Sequence, residues 1–323
     1  MWNAILTALV GLTSTTAVAA AGPPAVLTAP GPEGELSGTL IAPGQGKPVV
    51  LIIPGSGPFD RDGNSPIGVR TDAYRLLAEA LAGRDIGSLR IDKRGMFASK
   101  HAVADGNAVV IADYVADTAE WVAAARTATG APCIWLLGHS EGGIVALAAG
   151  QALEGLCGLV LVAAPGRPFA TILREQLAAN PANASVMPEA EAAIAALEAG
   201  ERIDVSAFHP ALQRLFAPPV QGYLIDLMTQ DPAAMAAATG LPVLILRGTE
   251  DLQVTKADAD ALAQANSAFA YREIEGMNHV LKLVPEGDLA ANRASYADPS
   301  LPIASELVRA VADFVTLEKE AAE

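Results

Sequence analysis

From about residue 36 onward the apolar positions of the chain fall into two rhythms. Short, mostly apolar runs occur at Val49 to Ile53, Gly87 to Ile91, Cys133 to Leu137, Leu159 to Ala163, Val243 to Leu246 and Tyr271 to Ile274. Near-continuous runs of this length suit strands covered on both faces, where neither side meets water. Between them, Asp72 to Ala82, Ala112 to Ala128 and Ile144 to Leu153 repeat apolar residues at three- and four-residue spacing, as a helix laid on a sheet does. The alternation predicts an α/β fold with a mostly parallel, doubly wound sheet. Segments ahead of Val49 predict an antiparallel hairpin at the sheet edge, and a last helix is expected near Pro302 to Leu317.

One stretch breaks the alternation. From Gly166 to about Gly240 only helical pieces such as Phe169 to Ala179 and Glu189 to Ala199 appear, punctuated by prolines. This predicts a helical cap over residues 166–240, inserted into a larger domain made of 22–165 and 241–323. At the other extreme, no charged side chain precedes Glu33, and the apolar run Ala4 to Leu12 leads to Ala17-Val18-Ala19 and Ala19-Ala20-Ala21. Residues 1–21 therefore read as a cleaved leader, cut after Ala19 or Ala21, although no Lys or Arg precedes the run. Four hydroxyl residues and Pro23-Pro24 interrupt what a membrane-spanning helix would require. The expected location is periplasmic or secreted, with no stable membrane association after cleavage.

Composition narrows the classes. With 51% apolar and 18% charged residues, 29 Gly and 22 Pro in 323 positions, disorder, collagen and coiled coil are excluded. A net charge of −15 repels phosphate backbones and anionic headgroups, so no nucleic acid partner is expected. Four histidines and two cysteines leave little material for a metal cage, and neither metal nor cofactor is expected.

The candidate chemistry starts at Gly138-His139-Ser140-Glu141-Gly142, which follows a predicted strand and opens a predicted helix. This is G-x-S-x-G in strand–turn–helix context, where a tight turn lifts a serine Oγ above the sheet and the helix N-terminus aims N–H groups at a developing oxyanion. A serine needs a base, and the base an orienting acid. His139 lies inside the turn, while His101 and His209 fall in an early loop and in the cap. His279 follows the last strand and is the expected base. Asp251 ends the strand Val243 to Leu246, at the sheet edge where open α/β sheets bind ligands, with Glu250 as runner-up for the acid.

Two further segments, Pro54-Gly55-Ser56-Gly57-Pro58-Phe59-Asp60-Arg61-Asp62-Gly63-Asn64 and Asp92-Lys93-Arg94-Gly95, complete a resemblance. The chain resembles the serine α/β-hydrolases and, more narrowly, bacterial carboxylesterases carrying P-G-S-G-P-x-D-R-D-G-N and D-K-R-G loops. The resemblance runs from Val49 to the C-terminus and implies a serine carboxylesterase that forms an acyl-enzyme on Ser140, with small-molecule esters as substrates; separately, only 15 aromatics and an Ala-rich cap lead to the expectation of a modest pocket and short acyl chains. It maps the oxyanion hole onto the backbone N–H groups of Ser56, with Gly57 as alternative, and Glu141. The sequence departs from the family at Met96-Phe97-Ala98-Ser99, where relatives usually carry a second glycine and a small residue. A serine peptidase or acyltransferase on the same fold is the alternative function, and a non-catalytic binding protein a more distant one; oligomeric state is not legible.

Other features have plainer readings. Asp60 to Asn64 lacks the spacing of a calcium loop and reads as a buried ion-pair loop. Trp121 and Trp135 read as core, and Glu141 as a first-turn acid favoured by the helix dipole. Cys133 and Cys157 precede Ser140 and Ala163 by seven and six residues, on strands that neighbour each other in the hydrolase sheet. They are expected at one level, either as a disulfide or as two buried thiols.

Overall fold

The computed structural model describes residues 21–322, with side chains as far as residue 317. Apart from Ala21, the expected leader lies outside the described residues. The sheet has eight strands: β1 (Ala25–Pro30), β2 (Glu35–Ile41), β3 (Val49–Ile53), β4 (Gly87–Ile91), β5 (Ile134–His139), β6 (Leu156–Val162), β7 (Val243–Gly248) and β8 (Ala270–Ile274). Their spatial order is β1-β2-β4-β3-β5-β6-β7-β8. The hairpin β1-β2 is antiparallel and joins β4 antiparallel, whereas β4 through β8 run parallel.

The inner strands β3 to β7 are buried on both faces, as their apolar runs require, whereas β1 and β8 are edges, and Arg272 and Glu273 of β8 are exposed, contrary to the expectation for that run. Val49, Leu51 and Ile53 of β3 point into one core layer, and Val50 and Ile52 into the other. The first layer is closed by α2 (Ile111–Thr129), α3 (Gly142–Ala152) and α9 (Lys256–Ala265). The second is closed by α1 (Ala73–Ala82) and α11 (Ser305–Ala322), with Leu77, Leu81, Leu307 and Val311 fully covered. Trp121 and Trp135 are core residues in opposite layers.

Strand order reverses between β3 and β5, since the chain leaves β3 for β4 on one side and returns to β5 on the other. That reversal opens a crevice at the carboxyl ends of β3 and β5, where ligands of such sheets bind. Between β6 and β7 lie α4 (Phe169–Ala178), α5 (Met187–Glu198), α6 (Pro210–Leu215), α7 (Gln221–Met228) and α8 (Pro232–Ala238). The first four bury a small core of their own around Ile194, Leu197, Leu212 and Phe216. The last, α8, packs against α3 and α9, and its Ala236 joins the main core. A short α10 (Leu289–Ser295) precedes α11. No described helix is long and apolar enough to cross a membrane.

Cys133 and Cys157 form a disulfide with Cα atoms 5.2 Å apart. Register explains how adjacent parallel strands accommodate it. Ile134 pairs with Leu156 but Trp135 pairs with Gly158, so Cys157 is the extra residue of a bulge that turns its side chain toward Cys133.

Candidate active site

β5 runs into a turn in which Ser140 adopts φ 54°, a left-handed conformation that side chains rarely take. Glycine is obligatory around it: a Cβ on Gly138 would strike the Gly142 carbonyl, and one on Gly142 would strike the Ile53 carbonyl. Across the crevice the loop after β3 comes equally close, since a Cβ on Gly55 would stand 3.0 Å from the Ser140 Cβ. The turn is held by the Ser140 N–H donating to Val162 O at 3.0 Å and the Gly143 N–H donating to Ser140 O at 2.8 Å.

Asp251 and His279, from the loops after β7 and β8, meet beneath the same crevice. His279 Nδ1 donates to Asp251 Oδ2 at 2.9 Å, which leaves Nε2 with the lone pair of a base. Oδ1 of Asp251 accepts the Gln253 and Val254 N–H groups at 2.8 and 3.0 Å. Burial pushes the Asp251 carboxyl up, but the His279 ring, its hydrogen bond and the two amides outweigh it and hold the acid below its ordinary range. Glu250 faces elsewhere, accepting the Gly287 N–H at 2.9 Å.

Ser140 and His279 line one cavity of about 270 Å³, together with Gly55, Ser56 and Glu141. Among the described residues neither Ser140 Oγ nor His279 Nε2 has a hydrogen-bond partner, so both are free to meet; such contacts commonly tighten only with substrate bound. The Ser56 and Glu141 N–H groups likewise donate to no carbonyl or side chain among the described residues. Ser56 lines the cavity, whereas Gly57 does not.

Glu141 stands at the N-terminus of α3, as expected, but its side chain does more there. It makes no helix-capping hydrogen bond. Instead it is buried and accepts the Ser56 hydroxyl at 2.6 Å, which ties together the two segments that carry the free N–H groups. Lys93 stands 3.8 Å away and donates to the Gly55 carbonyl at 2.7 Å. Burial lowers the Lys93 pKa, with Glu141 opposing that shift in part. The neighbouring Asp92 holds Arg61 at 2.6 Å, Arg94 clasps Asp117 at 2.7 Å, and Arg90 pairs with Asp62. Asp60 accepts the Asp62 and Asn64 amides at 2.9 and 2.8 Å. The two loops that looked like separate motifs are thus one interlocked ion-pair scaffold. Phe97, at the departure from the family pattern, has φ 44°, a conformation that glycine adopts without strain.

Residues that sequence spacing did not single out complete the surroundings. Tyr74, from α1, and His139 are buried next to the crevice and hydrogen-bonded to each other at 2.8 Å. His101 is exposed, and His209 caps α6 through Nδ1. From the insertion, Leu173, Leu215 and Leu227 line the cavity, with Phe169, Ile172 and Gln176. Phe216 and Met228 pack inside the insertion's own core instead, with Leu177 against it. Tyr223 packs edge to face on Tyr114. Phe59 reaches the cavity from the scaffold side.

The family described as Hydrolase_4, serine aminopeptidase S33, matches residues 68–283, the greater part of the chain. The P-G-S-G-P loop lies ahead of that stretch. Esterase EstD of Thermotoga maritima is 27% identical over 213 residues, covering 66% of this chain and 48% of EstD. The chain thus spans about half the length of that curated relative. Among solved structures, a proline iminopeptidase from Mycobacterium smegmatis matches with a TM-score of 0.60 at 17% identity, over 93% of this chain and 100% of that one. A thermophilic esterase from Thermogutta terrifontis matches with a TM-score of 0.54 at 19% identity, over 92% and 100%. At such identities the structural likeness speaks to the fold alone, an α/β-hydrolase fold.

Proposed function

The chain belongs to the Hydrolase_4 family of serine aminopeptidase S33-like α/β-hydrolases, and on that premise we propose that it is a serine carboxylesterase of small, uncharged esters. The observation that carries this reading is the Asp251–His279 hydrogen bond opening onto the cavity that also holds the strained Ser140. In the proposed reaction His279 Nε2 takes the proton as Ser140 Oγ attacks the ester carbonyl. Asp251 stabilises the resulting imidazolium, and the Ser56 and Glu141 N–H groups receive the oxyanion. Collapse of the tetrahedral intermediate breaks the bond to the alkoxy oxygen, and His279 returns its proton to the departing alcohol. Water, activated by the same nitrogen, then attacks the acyl-enzyme and releases the acid.

The family's description raises aminopeptidase activity as a second reading. An aminopeptidase must hold a free α-ammonium, which needs an unpaired carboxylate near the scissile bond. The one carboxylate side chain among the described lining residues is Glu141, already engaged by Ser56 and Lys93. This favours a neutral substrate. The cavity volume falls below the ~300–1,000 Å³ of sites for drug-sized ligands, which favours short acyl chains. The Cys133–Cys157 disulfide favours an oxidising compartment, periplasmic or extracellular.

Turnover of neutral p-nitrophenyl esters should exceed that of amino-acid p-nitroanilides and of anionic half-esters, and a fluorophosphonate should label Ser140. Faster cleavage of the amino-acid anilides would favour the peptidase reading, and labelling elsewhere would overturn the serine assignment.

A further inference from the structure

His139, the residue before Ser140, is buried with both ring nitrogens in use. Its Nε2 lies 2.8 Å from the His279 carbonyl oxygen, and a carbonyl can only accept. Nε2 must therefore carry the hydrogen, which leaves Nδ1 as an acceptor. The Tyr74 hydroxyl, 2.8 Å from Nδ1, must then donate to it. The same hydroxyl oxygen accepts the Gly55 N–H at 3.3 Å. Every donor thus points one way: from Gly55 to Tyr74, from Tyr74 to His139, and from His139 to the backbone of His279.

This chain of hydrogen bonds joins segments far apart in sequence, the loop after β3 and the loop after β8, through α1 and the serine turn. Burial, and then the neighbouring His279 ring 4.9 Å away, lower the His139 pKa to about 3, with the hydrogen bond to the His279 backbone and then the Asp251 charge opposing. A neutral ring with one fixed tautomer is what the directional chain requires.

We propose that Tyr74 and His139 are positioning residues that fix the Gly55–Ser56 segment and the His279 loop relative to each other on either side of Ser140. The inference rests on the esterase reading of that site. The oxyanion donors and the base must meet one carbonyl at the same moment, and a displacement of ~1 Å in such a constellation costs on the order of 10²-fold in rate. Neither side chain transfers a proton in the reaction.

The test uses Tyr74→Phe, His139→Met and His139→Gln in the full chain, with kcat, KM and Tm measured for each. Tyr74→Phe and His139→Met should lower kcat by roughly 10- to 100-fold while KM stays within about 3-fold. His139→Gln, whose amide can still donate toward the His279 carbonyl, should recover most of that loss. The double variant should lose no more than the worse single, because either change cuts the same chain. In the unsubstituted protein, ¹⁵N spectra of the histidine rings should show His139 protonated at Nε2.

Single variants within about 2-fold of the parent kcat would overturn the proposal. So would a loss that Gln does not relieve, or the Nδ1-protonated tautomer, which is readable even if a variant fails to fold. Ser140→Ala serves as control: full hydrolysis by that variant would overturn the reading of the site itself, whatever the relay variants do.

Discussion

The strand-end loops and the helical insertion both face the cavity, but they are built on opposite plans. In the loops, buried polar groups reach across the sequence: Ser56 to Glu141, Arg61 to Asp92, His139 to the backbone of His279. Most of these groups are paired with one another, which limits the cost of burying their charge, although Arg90 Nε is buried without a partner among the described residues. In the insertion the interior is apolar apart from Gln221, whose buried amide holds the Ile203 and Phe216 backbone, and its ion pairs, such as Arg174 with Glu191 and Glu198, lie toward solvent. It is moored to the scaffold by a few polar contacts, chiefly Arg167 on Asp258 and Asp226 accepting the Ile111 N–H. Rate should therefore reside in the loops and substrate choice in the insertion, with little crosstalk.

The strongest way to break that division is at Ser140. Ser140→Ala should lower kcat by on the order of 10⁶ with Tm unchanged, because only a hydroxyl without a partner is removed. Asp251→Asn should cost about 10⁴, leaving acyl-chain preference untouched. Because Asp251 is held below the usual carboxylate range, it stays ionised as pH falls. Asp251 should then add no proton uptake of its own to the acid-side loss of kcat/KM, and a two-proton slope would contradict the assignment.

In the insertion, Phe216→Ala should cost about 3–5 kcal/mol by emptying its private core, without altering the ratio of rates on short and long esters. Denaturant titration against an ester series separates the two readouts. Back in the loops, His139 has a folded pKa of about 3 against ~6.5 unfolded, so the unfolded chain binds more protons between those values. Its stabilising contribution is complete above the unfolded value and declines by up to about 1.4 kcal/mol per pH unit as pH falls toward the folded one. His139→Gln should flatten that dependence. The smallest effect is expected at the wall: Leu173→Ala or Leu215→Ala should favour longer acyl chains by at most about 0.8 kcal/mol per added methylene. If such variants change kcat for every ester alike, the insertion governs rate after all.

The same division decides what could be read from the chain unaided. β3 and β4 were legible to the residue because an uninterrupted apolar run can be hidden in few other ways. Ser140 was legible because its turn needs glycine at fixed offsets, and Asp251 and His279 because they follow strands. Glu141 stands at the N-cap of α3, where the sequence puts an acid, but its partner Ser56 is 85 positions away, a proximity created only by placing β3 beside β5. Tyr74 and His139 escaped for the same reason. In the insertion, helical spacing marks an apolar face but not what that face meets, so nothing in the spacing separates Leu173 from Phe216. One lines the cavity; the other is sealed among helices.

The disulfide beneath the sheet has a consequence for how the molecule regains its shape. Parallel neighbours β5 and β6 can pair only after the chain has closed a long crossover, an entropic debt that slows folding. With Cys133 and Cys157 linked across 24 positions, that crossover, α3 and the serine turn included, is already a ring when the rest of the chain is unravelled. The oxidised chain thus begins its search with the central pairing half made, whereas the reduced chain must find it afresh, and recovery of hydrolysis after dilution from denaturant should be slower with reductant present.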